Sequence, residues 1–159
     1  MHRILELLEN NADLTVKEIA VMLDADENEV AEALAKYKEE GVILGKRTVV
    51  DWQKTDREYV TAMIELKVTP QFGKGFDEIA ERCWQYEQVK SVFLMSGGFD
   101  LMLIVEGRTL TDVALFVSEN LAPMDQVLST TTHFVLKKYK EDGVLLTSPK
   151  KDERSVMML

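Results

Sequence analysis

The sequence predicts an α+β chain in two parts, a winged-type helix-turn-helix of three short helices followed by a domain of order βαββαβ. Three observations predict it. Apolar residues recur every three or four positions as far as Gly41, they alternate along residues 59–68, and beyond that the chain switches between the two periods.

Taken in order, Ile4, Leu7 and Leu8, then Val16, Ile19 and Leu23, then Val30, Leu34 and Tyr37 form three amphipathic stripes. Thr15 with Glu18, and Asp26 with Glu29, fit the capping box, in which the first side chain accepts from the helix backbone and the acid three residues on reaches back. Gly41 is a C-terminal stop. Only Leu23, Asp24, Ala25 and Asp26 part the second and third helices, the tight corner of a helix-turn-helix. Residues 42–52, VILGKRTVVDW, are β-prone and are expected as a strand or wing leading into a linker that ends near Glu58.

Past the linker, Val60, Ala62, Ile64, Leu66 and Val68 share one face of a strand that Pro70, Gly73 and Gly75 break. Phe76, Ile79, Ala80 and Cys83 then recur at helical spacing to about Tyr86. Residues 89–95 and 99–105 are apolar runs turned through Ser96, Gly97 and Gly98, a hairpin. A second helix carries Leu110, Val113, Ala114, Val117 and Leu121 and ends before Pro123, and residues 127–138 make the last strand. This is the ferredoxin-like arrangement, an antiparallel sheet with both helices on one face. The expected divisions are 1–45 for the helix-turn-helix, 46–58 for a β-segment and linker, 59–142 for the βαββαβ domain and 143–159 for a tail.

The run Leu101, Met102, Leu103, Ile104, Val105 is apolar on both faces, whereas helices cover only one. A second copy of the sheet is expected on the other face, so the chain is expected to be at least a homodimer. The apolar end, residues 156–159, either joins such a contact or is disordered, and the polar stretch PKKDERS before it favours disorder.

Composition narrows the function. The chain has 159 residues, 46% apolar and 30% charged, which suits one or two small folded domains. Glu6 and Glu9 interrupt the N-terminal apolar stretch, and no apolar run approaches the length of a membrane span, so a cytoplasmic protein with no membrane partner is expected. Cys83, the only cysteine, reads as a small apolar residue on a helix beside Trp84. His2 and His133 stand far apart, and there is no zinc motif, GxGxxG or P-loop, so neither metal nor cofactor is expected. The net charge of −9 argues against nucleic acid unless local patches override it.

Over nearly its whole length the chain resembles the Lrp/AsnC (feast/famine) family of transcriptional regulators. The resemblance runs through ILELLENNADLTVKEIA, the corner before Asp26, Val30 and KEEGVI at 38–43. It is more specific in MSGGFDLMLIVEG at 95–107, a glycine hairpin ending in aromatic-Asp, and in VLSTTTHFVLKKYK at 127–140. It implies a DNA-binding regulator whose βαββαβ domains pair sheet to sheet, whose dimers often assemble into tetramers or octamers, and whose effectors are amino acids bound at subunit interfaces. Carried over by residue, the effector loop is Ser96, Gly97, Gly98, Phe99 and Asp100, with Thr130 and Thr132 facing it. Glycines expose backbone N–H groups to a carboxylate, Asp100 accepts from an ammonium, and threonine hydroxyls complete a polar ring. A purely structural reading is also open, in which the glycines turn the hairpin, Asp100 caps it and the threonines favour a strand.

The third helix departs from the family. In the family its outer face lies in the major groove and carries Arg or Lys, but here DENEVAEALAKYKEE offers Glu27, Asn28, Glu29, Ala31, Glu32 and Ala33. Residues 1–45 hold four basic side chains against eleven acidic ones. Asn28, Lys36, Lys38, Lys46 and Arg47 are the candidate DNA contacts, and of these only the four basic residues can serve phosphates. Two alternatives follow: an amino-acid sensor or partner module that kept the fold without DNA affinity, and an enzyme resembling the decarboxylases of haem precursors. The enzyme needs a His/Arg pair, for which His133 with Arg82 or Arg108 are the candidates.

Overall fold

The structure, a computed structural model, describes residues 2–69 and 75–146, so Pro70, Gly73 and the end at 156–159 lie outside the described residues. The chain divides into two compact units, Met1–Val50 and Asp51–Leu159.

The first unit holds α1 (His2–Asn10), α2 (Val16–Leu23) and α3 (Glu27–Glu39). Both halves of the Thr15–Glu18 capping box form, and the Thr15 backbone N–H, with the hydroxyl behind it, holds the Glu18 carboxyl below its usual range. At α3 only half a box forms. The Asp26 carboxylate accepts from the N–H groups of Asn28 and Glu29, at 2.8 and 3.4 Å, while the Glu29 side chain makes no return bond. Asp24 makes the corner by taking a left-handed conformation, φ 52°, which lets the Ala25 N–H reach the Ala20 carbonyl at 3.0 Å. Gly41, φ 69°, ends α3 in the same way, with the Val42 N–H on the Tyr37 carbonyl at 2.8 Å. Ile4, Ile19, Ala20 and Val30 are buried together, ringed by Leu7, Leu8, Leu14, Val16, Leu23, Ala33 and Leu34.

The expected strand or wing at 42–52 does not form. Residues 43–51 follow α3 without a ladder, and a 3₁₀ turn occupies Trp52–Lys54. A strand needs a partner for its N–H and C=O groups, and no other described segment pairs with this one.

The second unit contains β1 (Val60–Val68), α4 (Asp77–Trp84), β2 (Val89–Leu94), β3 (Leu101–Gly107), α5 (Leu110–Phe116) and β4 (Val127–Phe134). The antiparallel sheet has the order β2-β3-β1-β4. Ala62, Ile64 and Leu66 of β1 and Leu101, Leu103 and Val105 of β3 pack under Ile79 and Cys83 of α4 and Val113 and Phe116 of α5. Gly107 lets α5 come close, since a Cβ there would lie 2.8 Å from Cγ2 of Val113.

Three local features differ from the expectation. The last turns of the second helix open into a π-helix at Val117–Leu121, which keeps Val117 and Leu121 both in the core. Phe99 and Asp100 belong to the turn rather than to β3, which begins at Leu101. The last strand stops at Phe134 instead of 138, because its partner β1 begins at Val60. The Val135 N–H still meets the Thr61 carbonyl at 2.9 Å, and then the ladder runs out. A small hairpin follows, β5 (Lys140–Glu141) and β6 (Val144–Leu145), turned by Asp142 and Gly143 at φ 45° and 82°.

Candidate functional site

At about 100° per residue, the inward Val30, Ala33, Leu34 and Tyr37 fix the orientation of α3 and place Asn28, Glu32, Ala35, Lys36 and Glu39 on its outward side. Lys38 falls on the flank. Neither the Asn28 amide nor the Glu32 carboxylate bonds to any described residue. Lys36 is 3.8 Å from Glu40, an exposed pair worth well under 1 kcal/mol, roughly, and so available to a stronger partner. Lys46 and Arg47 sit in the irregular segment after α3, with Lys46 beside an apolar groove formed by Leu5, Leu8, Ala12, Val42 and Leu44. The five candidate contacts therefore divide: Asn28 and Lys36 share a face, Lys38 lies beside it, and Lys46 and Arg47 belong to a different segment.

At one end of the sheet, residues 95–100 join β2 to β3. The Met95 N–H closes the turn on the Asp100 carbonyl at 2.8 Å, and a Cβ at Gly97 or Gly98 would meet only open space. Asp100 is engaged twice with β1: its N–H donates to the Leu66 carbonyl at 3.0 Å, and its Oδ2 accepts from the Val68 N–H at 2.8 Å. That second bond satisfies the backbone where the β1–β4 register shifts at Lys67/Val68. One carboxylate oxygen is thus committed to the fold, and the other has no partner among the described residues.

Thr130 pairs with Leu66 and Thr132 with Ile64, which puts both threonines on the helix-covered face. Leu101 and Thr130 flank Leu66 from opposite sides, so two ladder spacings, about 10 Å, separate hairpin from threonine strand. The structure collects the five loop residues and places Thr130 at the same end of the sheet, with β1 between the two groups. Thr132 lies further along the strand.

The open face of the sheet carries Met63, Glu65, Phe93, Met102, Ile104 and His133. The His133 Nε2 is 3.0 Å from a Glu65 oxygen, a pair that the sequence reading missed although both residues fall on the alternate register of their strands. Arg82 lies on α4, on the other side of the sheet from His133, with its Nη1 donating to the Gln126 Oε1 at 3.2 Å. Arg108 lines a charged cleft of about 470 Å³ with Arg57, Glu58, Glu87, Lys90 and Asp112, and His133 is absent from its walls. The His/Arg pairing of the decarboxylase reading is not assembled. Burial pushes the Cys83 thiol up to about 11, outweighing the opposing charge of Arg82, which makes it a packing group rather than a nucleophile. Among the described residues no cluster of His, Cys, Asp and Glu is arranged to hold a metal ion.

A helix-turn-helix followed by a ferredoxin-like domain with a glycine hairpin defines a two-domain regulator class, and the comparisons give its family. Residues 61–145 match the Lrp/AsnC ligand-binding domain and residues 2–43 a winged helix-turn-helix DNA-binding domain. An uncharacterised HTH-type transcriptional regulator of Bacillus subtilis, YugG, is 46% identical over 155 residues, covering 97% of this chain and 93% of its own. Escherichia coli AsnC has the same fold, with TM-score 0.68 at 19% identity over 87% of this chain and 91% of its own. So does a transcriptional regulator of Neisseria meningitidis solved with L-Met, at TM-score 0.69 and 21% identity over 87% and 88%. The chain belongs to the Lrp/AsnC family of transcriptional regulators.

Proposed function

We propose that this regulator is a cytoplasmic homodimer, or a larger assembly of dimers, that reads duplex DNA with α3 and answers to an amino acid held at the 96–100 loop. The observation that carries the reading is the pairing in one chain of a DNA-binding helix-turn-helix with an Lrp/AsnC ligand-binding domain. The acidity of the first unit makes each half-site contact weak, and dimerisation compensates by making the second contact intramolecular. Fluorescence anisotropy of the full chain on the DNA upstream of its own coding sequence, beside a scrambled duplex at low and moderate salt, tests it. Preferential, salt-sensitive binding to the upstream DNA is expected. Equal or absent binding even at low salt favours instead an amino-acid sensor or partner module without DNA affinity, the reading that the eleven acids of residues 1–45 support.

For the effector, the free oxygen of Asp100 faces an ammonium while the N–H groups around Gly97 and Gly98 take a carboxylate, and the L-Met bound to the Neisseria protein is a ligand of this chemistry. Thr130, at the same end of the sheet but across β1, is the nearer of the two threonines to such a ligand, and Thr132 lies one strand repeat further away. In thermal shift against a panel of L-amino acids, wild type is expected to be stabilised by one or more of them. Asp100→Ala is expected to lose that response and also about 1–3 kcal/mol of stability, because it leaves the Val68 N–H unsatisfied. Asp100→Asn keeps an acceptor for Val68 and should recover the stability but not the response. A wild-type response from Asp100→Asn removes the charge of Asp100 from the site.

A further inference from the structure

We infer that Asn28 and Glu32 are base readers, Asn28 for an adenine and Glu32 for the amino group of a cytosine, so that the acid on α3 sets specificity at the expense of affinity. The inference rests on the DNA-binding proposal above. Asn28 and Glu32 are four residues apart and project from one side of α3, opposite the buried Val30. Both are exposed, and neither side chain has a partner among the described residues. Lys36, four residues past Glu32 and suitably placed to neutralise it, pairs with Glu40 instead. Ala31 and Ala35 stand beside them, small enough to let the helix lie deep in the groove and to touch a thymine methyl.

The chemistry of the two groups then names the bases. A carboxylate only accepts, and its match on the major-groove edge is the N4 amino group of cytosine. A carboxamide donates and accepts side by side, which matches N7 and N6 of adenine. Four residues of helix rise about 6 Å, against 3.4 Å per base step, so the two bases lie about one or two steps apart. Because carboxylates repel phosphates, Glu32 weakens binding to every duplex and regains part of that loss only where cytosine is present.

Selection from a pool of randomised duplexes at low salt, using the full chain as wild type, Glu32→Ala, Glu32→Gln and Asn28→Ala, tests this. Wild type should enrich a motif with an A·T and a C·G pair one or two steps apart. Glu32→Ala should keep the motif except for the cytosine, whose preference drops by about fivefold to tenfold, while affinity for all duplexes rises. Glu32→Gln should move that position towards adenine, and Asn28→Ala should lose only the adenine. A wild-type motif that survives unchanged in all three variants overturns the inference and leaves DNA binding standing. A wild type that enriches no motif removes the DNA-reading proposal, and the inference with it.

Discussion

Ile104→Asp is expected to convert the protein into a folded monomer. Along β3, Leu101, Leu103 and Val105 point into the core and are at most 1% exposed, so Met102 and Ile104 point the other way. On the neighbouring strands Met63 and Phe93 share that open face, at 40% and 50% exposed. The helices α4 and α5 are both spent on the opposite side. In the proposed homodimer a second copy of the sheet, related by a two-fold axis, would cover this apolar surface with the same surface, and each Ile104 would then lie within the contact. An aspartate there places an uncompensated charge in the interface twice per dimer, each costing about 3 kcal/mol or more, so the dimer dissociation constant should rise by about ten-thousandfold or more. Light scattering at micromolar concentration reads the result directly. Met63→Lys, directly opposite Ile104 on the adjacent strand, puts a second charge into the same surface and should also weaken the dimer, though less, because the flexible stem lets the ammonium reach towards water. Dimer mass in both variants, with native far-UV dichroism, would place the subunit contact elsewhere.

The elements were legible wherever a local signal decides the structure. Thr15, Asp26 and Gly41 marked helix ends because caps and stops are satisfied within a few residues, and the alternation from Val60 to Val68 marked β1 because one face meets a core. Residues 42–52 show the limit: their composition favours a strand, but a strand exists only where a neighbour completes its hydrogen bonds. The early stop of β4 has the same origin, since it depends on where β1 begins, more than 70 residues earlier. Asp142-Gly143 was a legible hairpin signal that the division at 143 passed over. In the candidate site, the glycines at 97 and 98 marked a hairpin turn and the family resemblance singled out 96–100, whereas the bond from Asp100 to Val68 joins residues 32 apart and has no signature in either segment. The face assignment of Thr130 and Thr132 likewise needed the register with β1.

Glu32→Arg is expected to raise DNA affinity at low salt by at least about tenfold and to steepen its salt dependence. The change removes a carboxylate from the outward side of α3 and adds a guanidinium, shifting each chain by two charges at a position where the helix has only Lys36 and Lys38 to offer phosphates. The proposed dimer would present two such helices, so about two further counterion contacts would be gained, and the slope of log affinity against log salt should become more negative by about 1.8. The gain fades as salt rises, because screening acts on the new contact as it did on the old repulsion. Base preference adds an independent signature. If Glu32 meets a base edge, arginine at the same place bonds to O6 and N7 of guanine, and the preferred base at that position should change from cytosine to guanine. Steeper salt dependence without a change of base would mean that position 32 faces the backbone rather than the base edges. Unchanged affinity at every salt would mean that this side of α3 does not meet DNA, and the acidic face would then belong to the module that keeps the fold for sensing alone.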